Sequence, residues 1–272
     1  MFDLIIKNGM VYDGSGSLPK KTDIAINSDK ISQIGDLQDA KAKEIIDAEN
    51  LAISPGFIDT HSHADFDILR NPQHIYGISQ GVTTEILSPD GIGIVPLSKN
   101  KSAEHINYLS GILGYPTEDF DGTSFDQAKN FYHKKSKCNV AVFAGHGPLR
   151  LELCGMDDVP LRGEKMKKAK YNLEKAFEEG AAGFSTGLDY YPQTFSDTDE
   201  LIELSKIAAS KNKAAVLFEI IFKYVSSSIS TLPLCCNCKI SPCEIKAEVD
   251  ERSFNISKLP SSTIISKHLL NK

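Results

Sequence analysis

Through the first fifty residues, apolar positions come in short runs separated by turn residues. Residues 4–6 and 10–12 are apolar-rich, and Asn8-Gly9 and Asp13-Gly14-Ser15-Gly16 punctuate them. Asn-Gly and Asp-Gly tolerate the positive φ of tight hairpin turns, so the pattern predicts hairpins at these places. Residues 23–27 and 30–34 alternate polar and apolar side chains around a turn at Asn27-Ser28-Asp29, and 44–47 and 51–54 fit two more short strands. Residues 1–54 are therefore expected to form a small antiparallel β unit.

After Pro55 the pattern changes to strands separated by helical stretches. Residues 57–59 read as a first strand, 69–80 as a mixed helical return and the β-branched run 82–87 as a second strand, closed by the turn Ser88-Pro89-Asp90-Gly91. Helices are predicted over 101–112 and 124–135, the latter opening with Ser124 in an N-cap position. An apolar third strand over 139–144 runs into Gly145-His146-Gly147. Met166, Ala169, Leu173 and Ala176 recur at helical spacing within 163–180, with a lysine-rich solvated face opposite. A fourth strand at 183–185 ends in Ser185-Thr186-Gly187. A helix over 199–210 buries Leu201, Ile202, Leu204, Ile207 and Ala208. Strands alternating with helices imply parallel pairing through right-handed crossovers, hence an α/β sheet or barrel.

Composition narrows the classes. The 272 residues are 41% hydrophobic and 24% charged, as in ordinary globular proteins. The formal net charge of -6 and the absence of a basic stripe argue against nucleic acid as a partner. The N-terminal apolar run is interrupted by Asp3 and Lys7, unlike a signal peptide, and no stretch approaches the roughly 18 apolar residues of a membrane span. A cytoplasmic protein that does not enter membranes is the expectation. Cys138 and Cys154 are isolated among apolar residues, whereas Cys235, Cys236, Cys238 and Cys243 crowd one segment. That crowd invites a zinc reading, but it lacks two separated CxxC pairs and has only His268 nearby.

Candidate chemistry gathers just after the strands: His61 and His63, Asp90, His146, Ser185 and Thr186. In a (β/α)₈ barrel that rim is where catalytic groups collect. His61 and His63 stand at an i, i+2 spacing, which on a strand puts both imidazoles on one face, half of a metal site. The alternative is a pair of solvated or core histidines. His146 lies between two glycines after a buried strand, and is read either as a rim residue lining the site or as a histidine held by backbone hydrogen bonds. His74, His105, His133 and His268 read as surface residues.

The ordered motifs IIKNGMVYDGSG, SPGFIDTHSHAD, QGVTTEI, GHGPLR and GFSTGLDYYP resemble the amidohydrolase superfamily, and within it the N-acyl-D-amino-acid deacylases, or D-aminoacylases. The resemblance runs from about residue 2 to about residue 215. It implies an imperfect TIM-like barrel with a small β-sandwich, and one or two Zn²⁺ ions at the C-terminal rim of the strands. His61 and His63 match the metal-binding HxH of strand one. Asp90 falls where the family has a metal-bridging cysteine, and is either a carboxylate ligand or the cap of its turn. Tyr190 matches a tyrosine expected to hold the substrate, and His146 joins it as a candidate substrate-binding residue. Strand four ends without a lysine, unlike relatives that bridge two metals through a carboxylated lysine. The implied reaction is hydrolysis of a small N-acylated D-amino acid.

The family pattern also expects a histidine at the end of strand five, another on strand six and a late aspartate as general base and ligand. These are not recognisable, and the chain after Pro55 is shorter than the about 250 residues typical of such a barrel. The expected division is therefore residues 1–54 as the β unit, 55–215 as an incomplete barrel, and 216–272 as a non-homologous tail of the kind a frameshift, retained intron or mistaken gene model produces. Two functional classes follow: a metal-dependent hydrolase of linear C–N bonds, or a catalytically silent fragment of one.

Overall fold

A computed structural model of the chain describes residues 1–218. The tail beyond them, with Cys235, Cys236, Cys238, Cys243 and His268, lies outside the described residues. So do the positions where the resemblance expects the later metal ligands and the general base.

The described chain divides into two compact units. One comprises Met1–Ile58 with Ile75–Thr83, so the N-terminal unit is larger than the expected 1–54 and takes in a later segment. Its strands are β1 (Phe2–Val11), β2 (Lys20–Asn27), β3 (Lys30–Gly35), β4 (Ala42–Asp47) and β5 (Ala52–Ile53). The sheet order is β3-β2-β1-β4, with β5 also on β1. Pairing of β1 with β2 and of β2 with β3 is antiparallel, but β4 and β5 run parallel to β1. The sheet is thus mixed, not purely antiparallel. Asn8-Gly9 makes no hairpin either. Asn8 takes φ 65° inside a continuous β1, where the register to β2 shifts between Ile6 and Gly9. The positive φ that Asn tolerates serves a β-bulge here instead of a chain reversal. Ile6, Ile24, Ala48 and Ile53 form one buried cluster of this unit, and Ile5, Ala25 and Leu37 form another.

The second unit comprises Asp59–His74 and the described chain from Thr84 onward. The boundary passes through β6 (Phe57–Ser62) and β7 (Val82–Leu87), between which lie the short helices α1 (Asp67–Arg70) and α2 (Ile75–Ile78). Then follow α3 (Lys99–Leu113), α4 (Phe125–Tyr132), β8 (Asn139–Val142), β9 (Ala144–Gly145), α5 (His146–Cys154), α6 (Gly163–Glu178), β10 (Gly183–Gly187), α7 (Thr198–Ser210) and β11 (Ala214–Phe218). The strands stand side by side in chain order, as β6-β7-β8 and β9-β10-β11. The expected single third strand breaks at Phe143: β8 pairs parallel with β7, and β9 pairs parallel with β10. β11 adds parallel to β10, pairing Gly183 with Ala214 through to Gly187 with Phe218. The barrel portion thus extends three residues past the expected boundary at 215.

The helices follow their apolar spacing. Ser124 caps α4, accepting the Gln127 N–H at 3.2 Å. Ala169, Leu173, Ala176 and Phe177 are the buried stripe of α6, and Leu201, Leu204 and Ala208 that of α7. All of these but Leu201 join Leu149, Leu161 and Phe184 in one core, each larger side chain contributing about 1.5–3 kcal/mol on burial. The spacing did not reveal α5, because burial wraps around it: seven of its nine residues are buried, Arg150 among them. Cys138 and Cys154 are buried free thiols. Among the described residues no helix is long and apolar enough to cross a membrane.

Candidate metal centre

β6 carries His61 to its C-terminal end, and His63 follows one residue beyond it. Their rings stand edge to face, with centroids 5.2 Å apart. The turn after β7 brings in Asp90, whose Oδ2 lies 3.3 Å from His61 Nε2 and 3.3 Å from His63 Nε2. One ligand atom from each of the three lies within 4.8 Å of the others, the one such group among the described residues. The His61 side chain is 40% exposed and that of Asp90 11%, so the cluster opens to solvent on its histidine side.

Asp90 is placed by a strained turn. Ser88, Asp90 and Gly91 have φ values of 59°, 55° and 68°, all in the left-handed region, which Asp and Gly enter most readily. No regular ladder stabilises such a turn, so outside groups hold it. The buried Asp65 carboxylate accepts the Ser88 hydroxyl at 2.7 Å and the Ser88 N–H at 3.4 Å. Burial pushes the Asp65 carboxyl up, against the two bonds from Ser88. Ser185 Oγ donates to the Ser88 carbonyl at 2.6 Å and accepts the Gly91 N–H at 3.2 Å. Gln193 Nε2 donates to the Asp90 carbonyl at 3.0 Å.

The glycines of the GHG and STG motifs make room for this turn. A Cβ on Gly187 would lie 2.9–3.1 Å from Asp90 atoms, and one on Gly147 would lie 2.7 Å from the Gly91 carbonyl oxygen. Close backbone approach is the reason only glycine fits there.

Of the residues expected to bind substrate, Tyr190 is half-buried in the loop after β10. Burial and the negative charges of Asp90 and Asp189 raise its phenol pKa, which keeps the hydroxyl protonated as a donor. His146 differs from the rim reading. It opens α5 fully buried, its Nδ1 2.8 Å from Thr186 Oγ1 and its Nε2 2.8 Å from Glu200 Oε1. A carboxylate only accepts, so Nε2 carries the proton and Nδ1 accepts from Thr186. Burial pushes the His146 pKa down despite Glu200, so the ring stays neutral. Its geometry matches the second reading, a hydrogen-bonded core histidine, though its partners are side chains and not backbone.

Glu200 is also held by Arg150 Nη1, 2.6 and 2.7 Å from its two oxygens, and by the Leu161 N–H at 2.6 Å. Burial works to raise the Glu200 pKa, but these bonds and His146 hold it below the usual range. Arg150 further donates to the carbonyls of Pro192, at 2.8 Å, and Val159, at 2.6 Å.

Two histidines read as surface residues are buried. His74 Nε2 lies 2.5 Å from Glu85 Oε1, both side chains nearly sealed. His105 is fully buried on α3, where its Nε2–H donates to the Gly93 carbonyl at 3.1 Å, and burial pushes its pKa down to about 4. The signal for His105 was there, because it continues the Leu109 and Leu113 stripe of α3 at helical spacing. His133 is exposed, as expected. Asp65, Ser88, Gln193, Arg150 and Glu200 carried no assigned role in the sequence. Ser185 was among the strand-end candidates, without a particular role.

Side-by-side strands joined by helices, with two imidazoles and a carboxylate gathered at the strand ends, are an α/β arrangement of TIM-like type with a candidate metal centre. No protein-family model matches the chain. It is 33% identical over 205 residues to N-acyl-D-aspartate deacylase of Alcaligenes xylosoxydans xylosoxydans, covering 74% of this chain and 40% of the relative. Identity to D-aminoacylase of the same organism is 32% over 205 residues, covering 75% and 42%. Among solved structures, the crystal structure of D-aminoacylase superposes with TM-score 0.69 at 28% identity, over 79% of this chain and 44% of that one. N-acyl-D-glutamate deacylase from Bordetella bronchiseptica, complexed with zinc and a phosphonate inhibitor, gives TM-score 0.68 at 27% identity, over 79% and 44%. The chain's homologues are thus the N-acyl-D-amino-acid deacylases and D-aminoacylase of the amidohydrolase superfamily, as the ordered motifs imply. The chain spans about two fifths of the length of these curated relatives.

Proposed function

We propose that this chain acts as a metal-dependent hydrolase of linear amide bonds, converting a small N-acyl-D-amino acid and water to a D-amino acid and a carboxylate. The observation that carries the reading is the convergence of His61, His63 and Asp90 on one point at the strand ends. Zn²⁺ is the cofactor the donor set fits. Ligand bonds of about 2.0–2.2 Å at tetrahedral angles separate donor atoms by about 3.4 Å, and both histidine nitrogens lie 3.3 Å from Asp90 Oδ2. Two imidazoles and a carboxylate are also ligand types that zinc takes. The relatives support the same group: D-aminoacylase has a binuclear metal centre in which one metal activates and the second attenuates, and the glutamate deacylase was solved with zinc.

His61, His63 and Asp90 would hold the ion, which supplies a positive charge that polarises a carbonyl and favours deprotonation of water. The chain's own residues do the rest of what is described. Asp65 and Ser185 keep the Asp90 turn in place, the exposed side of His61 leaves room for a substrate, and Tyr190 offers a neutral hydroxyl to a substrate oxygen. A second reading, a metal-binding chain without turnover, is favoured by one observation: among the described residues only three ligand groups gather.

The test is an assay of the purified full chain, stripped of metal and reloaded with Zn²⁺, on N-acetyl derivatives of several D- and L-amino acids. Turnover of D substrates that His61→Ala abolishes is expected. Zinc bound through His61 with no turnover on any substrate would establish the second reading instead.

A further inference from the structure

Asp90 sits in the short 3₁₀ turn Pro89–Gly91 at a non-helical φ of 55°, where one backbone bond, from Ile92 N–H to the Pro89 carbonyl at 3.2 Å, closes the turn, so the direction of its carboxylate depends largely on what else grips its backbone. Asp65 grips Ser88, two residues before it, and Ser185 grips the Ser88 carbonyl. The Asp90–Gly91 peptide is held at both ends: Ser185 Oγ accepts its N–H at 3.2 Å, and Gln193 Nε2–H donates to its carbonyl at 3.0 Å. A carbonyl only accepts, so the amide is oriented without ambiguity. Gln193 lies three residues after Tyr190, at the start of the 3₁₀ turn Gln193–Phe195, and it is fully buried.

Burying this side chain is costly. Its Oε1 has no hydrogen-bond partner among the described residues. A site needing only volume there would be filled more favourably by an apolar residue, because a buried amide oxygen without a partner loses its hydration for nothing. The amide is also tightly enclosed: a Cβ on Gly147 would lie 2.7 Å from Gln193 Oε1. The loop that bears Gln193 is itself anchored, since Arg150 Nε donates to the carbonyl of Pro192, the preceding residue, and Arg150 is locked to Glu200. A rigid chain of contacts therefore runs from the buried Arg150–Glu200 pair to the backbone of the metal ligand.

We propose that Gln193 is a positioning residue for the metal centre: its amide fixes the Asp90 peptide, and so sets where the Asp90 carboxylate meets His61 and His63. This rests on the metal-centre reading above and deepens it. Groups that orient ligands from behind typically change metal affinity 10–100-fold when removed. A hold on the ligand's backbone, with Ser185 and Asp65 still gripping its neighbours, belongs at the low end of that range.

The test uses the full chain, metal-free, titrated with Co²⁺, whose visible d–d bands report ligand geometry, and with Zn²⁺ by competition. Gln193→Met keeps the length and removes the donor, and Gln193→Ser, which admits water, serves if the first does not fold. Leu173→Ala, a core truncation on α6, is the reference for general destabilisation. We expect the Gln193 variant to bind Co²⁺ about tenfold more weakly with an altered d–d band, and Leu173→Ala to lower the melting temperature with affinity and spectrum unchanged. A Gln193 variant with the wild-type affinity and band overturns the proposal and leaves the metal centre standing. Affinity that falls equally in Leu173→Ala overturns it too, because stability alone would then account for the loss. Should His61→Ala bind Co²⁺ as tightly as the wild type, the metal-centre reading fails first and the role of Gln193 falls with it.

Discussion

Two histidine–carboxylate clusters lie in the same unit, built from the same kinds of side chain, and they do opposite things. In one, His146 meets Glu200 with both fully buried and every hydrogen-bonding atom of the ring used: Thr186 takes one nitrogen, Glu200 the other, and Arg150 balances the carboxylate. In the other, two histidines share a single carboxylate oxygen at 3.3 Å, longer than a good hydrogen bond, and face solvent. The first cluster has no valence left for a ligand. The second has three donor atoms turned to one point. What separates a structural histidine from a candidate metal ligand here is therefore convergence on a common point together with access, not residue type.

That contrast can be broken most forcefully at Glu200. Glu200→Ala would leave the Arg150 charge buried without its partner, a change that costs about 3–5 kcal/mol. Urea unfolding of the metal-free chain should show it; a loss under 1 kcal/mol would mean the sealed cluster is not what holds this part of the core.

Next in size is acid sensitivity from His105. Its folded pKa of about 4 lies below its ordinary 6.5, so between these values the unfolded chain binds more protons than the folded one. Stability is fully present above about pH 6.5 and falls as the pH drops toward 4, by about 3 kcal/mol in all at 1.36 kcal/mol per pKa unit. His105→Gln should flatten urea midpoints measured across that window. An unchanged slope would exclude His105 as the cause.

Gly147→Ala probes the seam between the clusters. Its Cβ would press on the Gly91 carbonyl and Gln193, and overpacking of this kind costs about 1–3 kcal/mol. Because the displaced backbone carries Asp90, a calorimetric Zn²⁺ titration should show weaker binding as well. Equal affinity would mean the turn yields without moving its ligand.

The smallest effect on stability is expected at the open cluster. In metal-free protein His61→Ala should lie within about 0.5 kcal/mol of wild type, as for most exposed positions. Its signature is instead the loss of the rise in melting temperature that Zn²⁺ gives the wild type by binding the folded state. A large loss of metal-free stability would show that His61 is structural after all.

Much of the barrel portion was legible because its signals are local. The β-branched run of β7, the apolar stripes of α6 and α7 and the Ser124 cap each depend on near neighbours, and the structure carries them, with Met166, Ile202 and Ile207 of the stripes only half-buried. The same locality misled at Asn8-Gly9, where one φ preference serves hairpins and bulges alike, and at His74 and His105, where residue type outweighed apolar neighbours such as Leu109 and Leu113. α5 was missed because a helix buried all round has no amphipathic period to detect. Arg150 and Glu200 are 50 residues apart, and Gln193 and Asp90 are 103 apart, so no window on the sequence holds both members of either pair.

By itself the sequence determined the order of strands and helices, the pair of imidazoles on one strand face and the descent from metal-dependent amide hydrolases, since each follows from residues close together or from motifs in fixed order. Only the tertiary structure decided that Asp90 lies 3.3 Å from both histidines, that His146 is bound to Glu200 and Thr186, and that the glycines around it admit the Asp90 turn. Those outcomes depend on which distant backbones pack within a few ångströms of one another, and the cost of burying polar groups then decides which of them must pair inside the core.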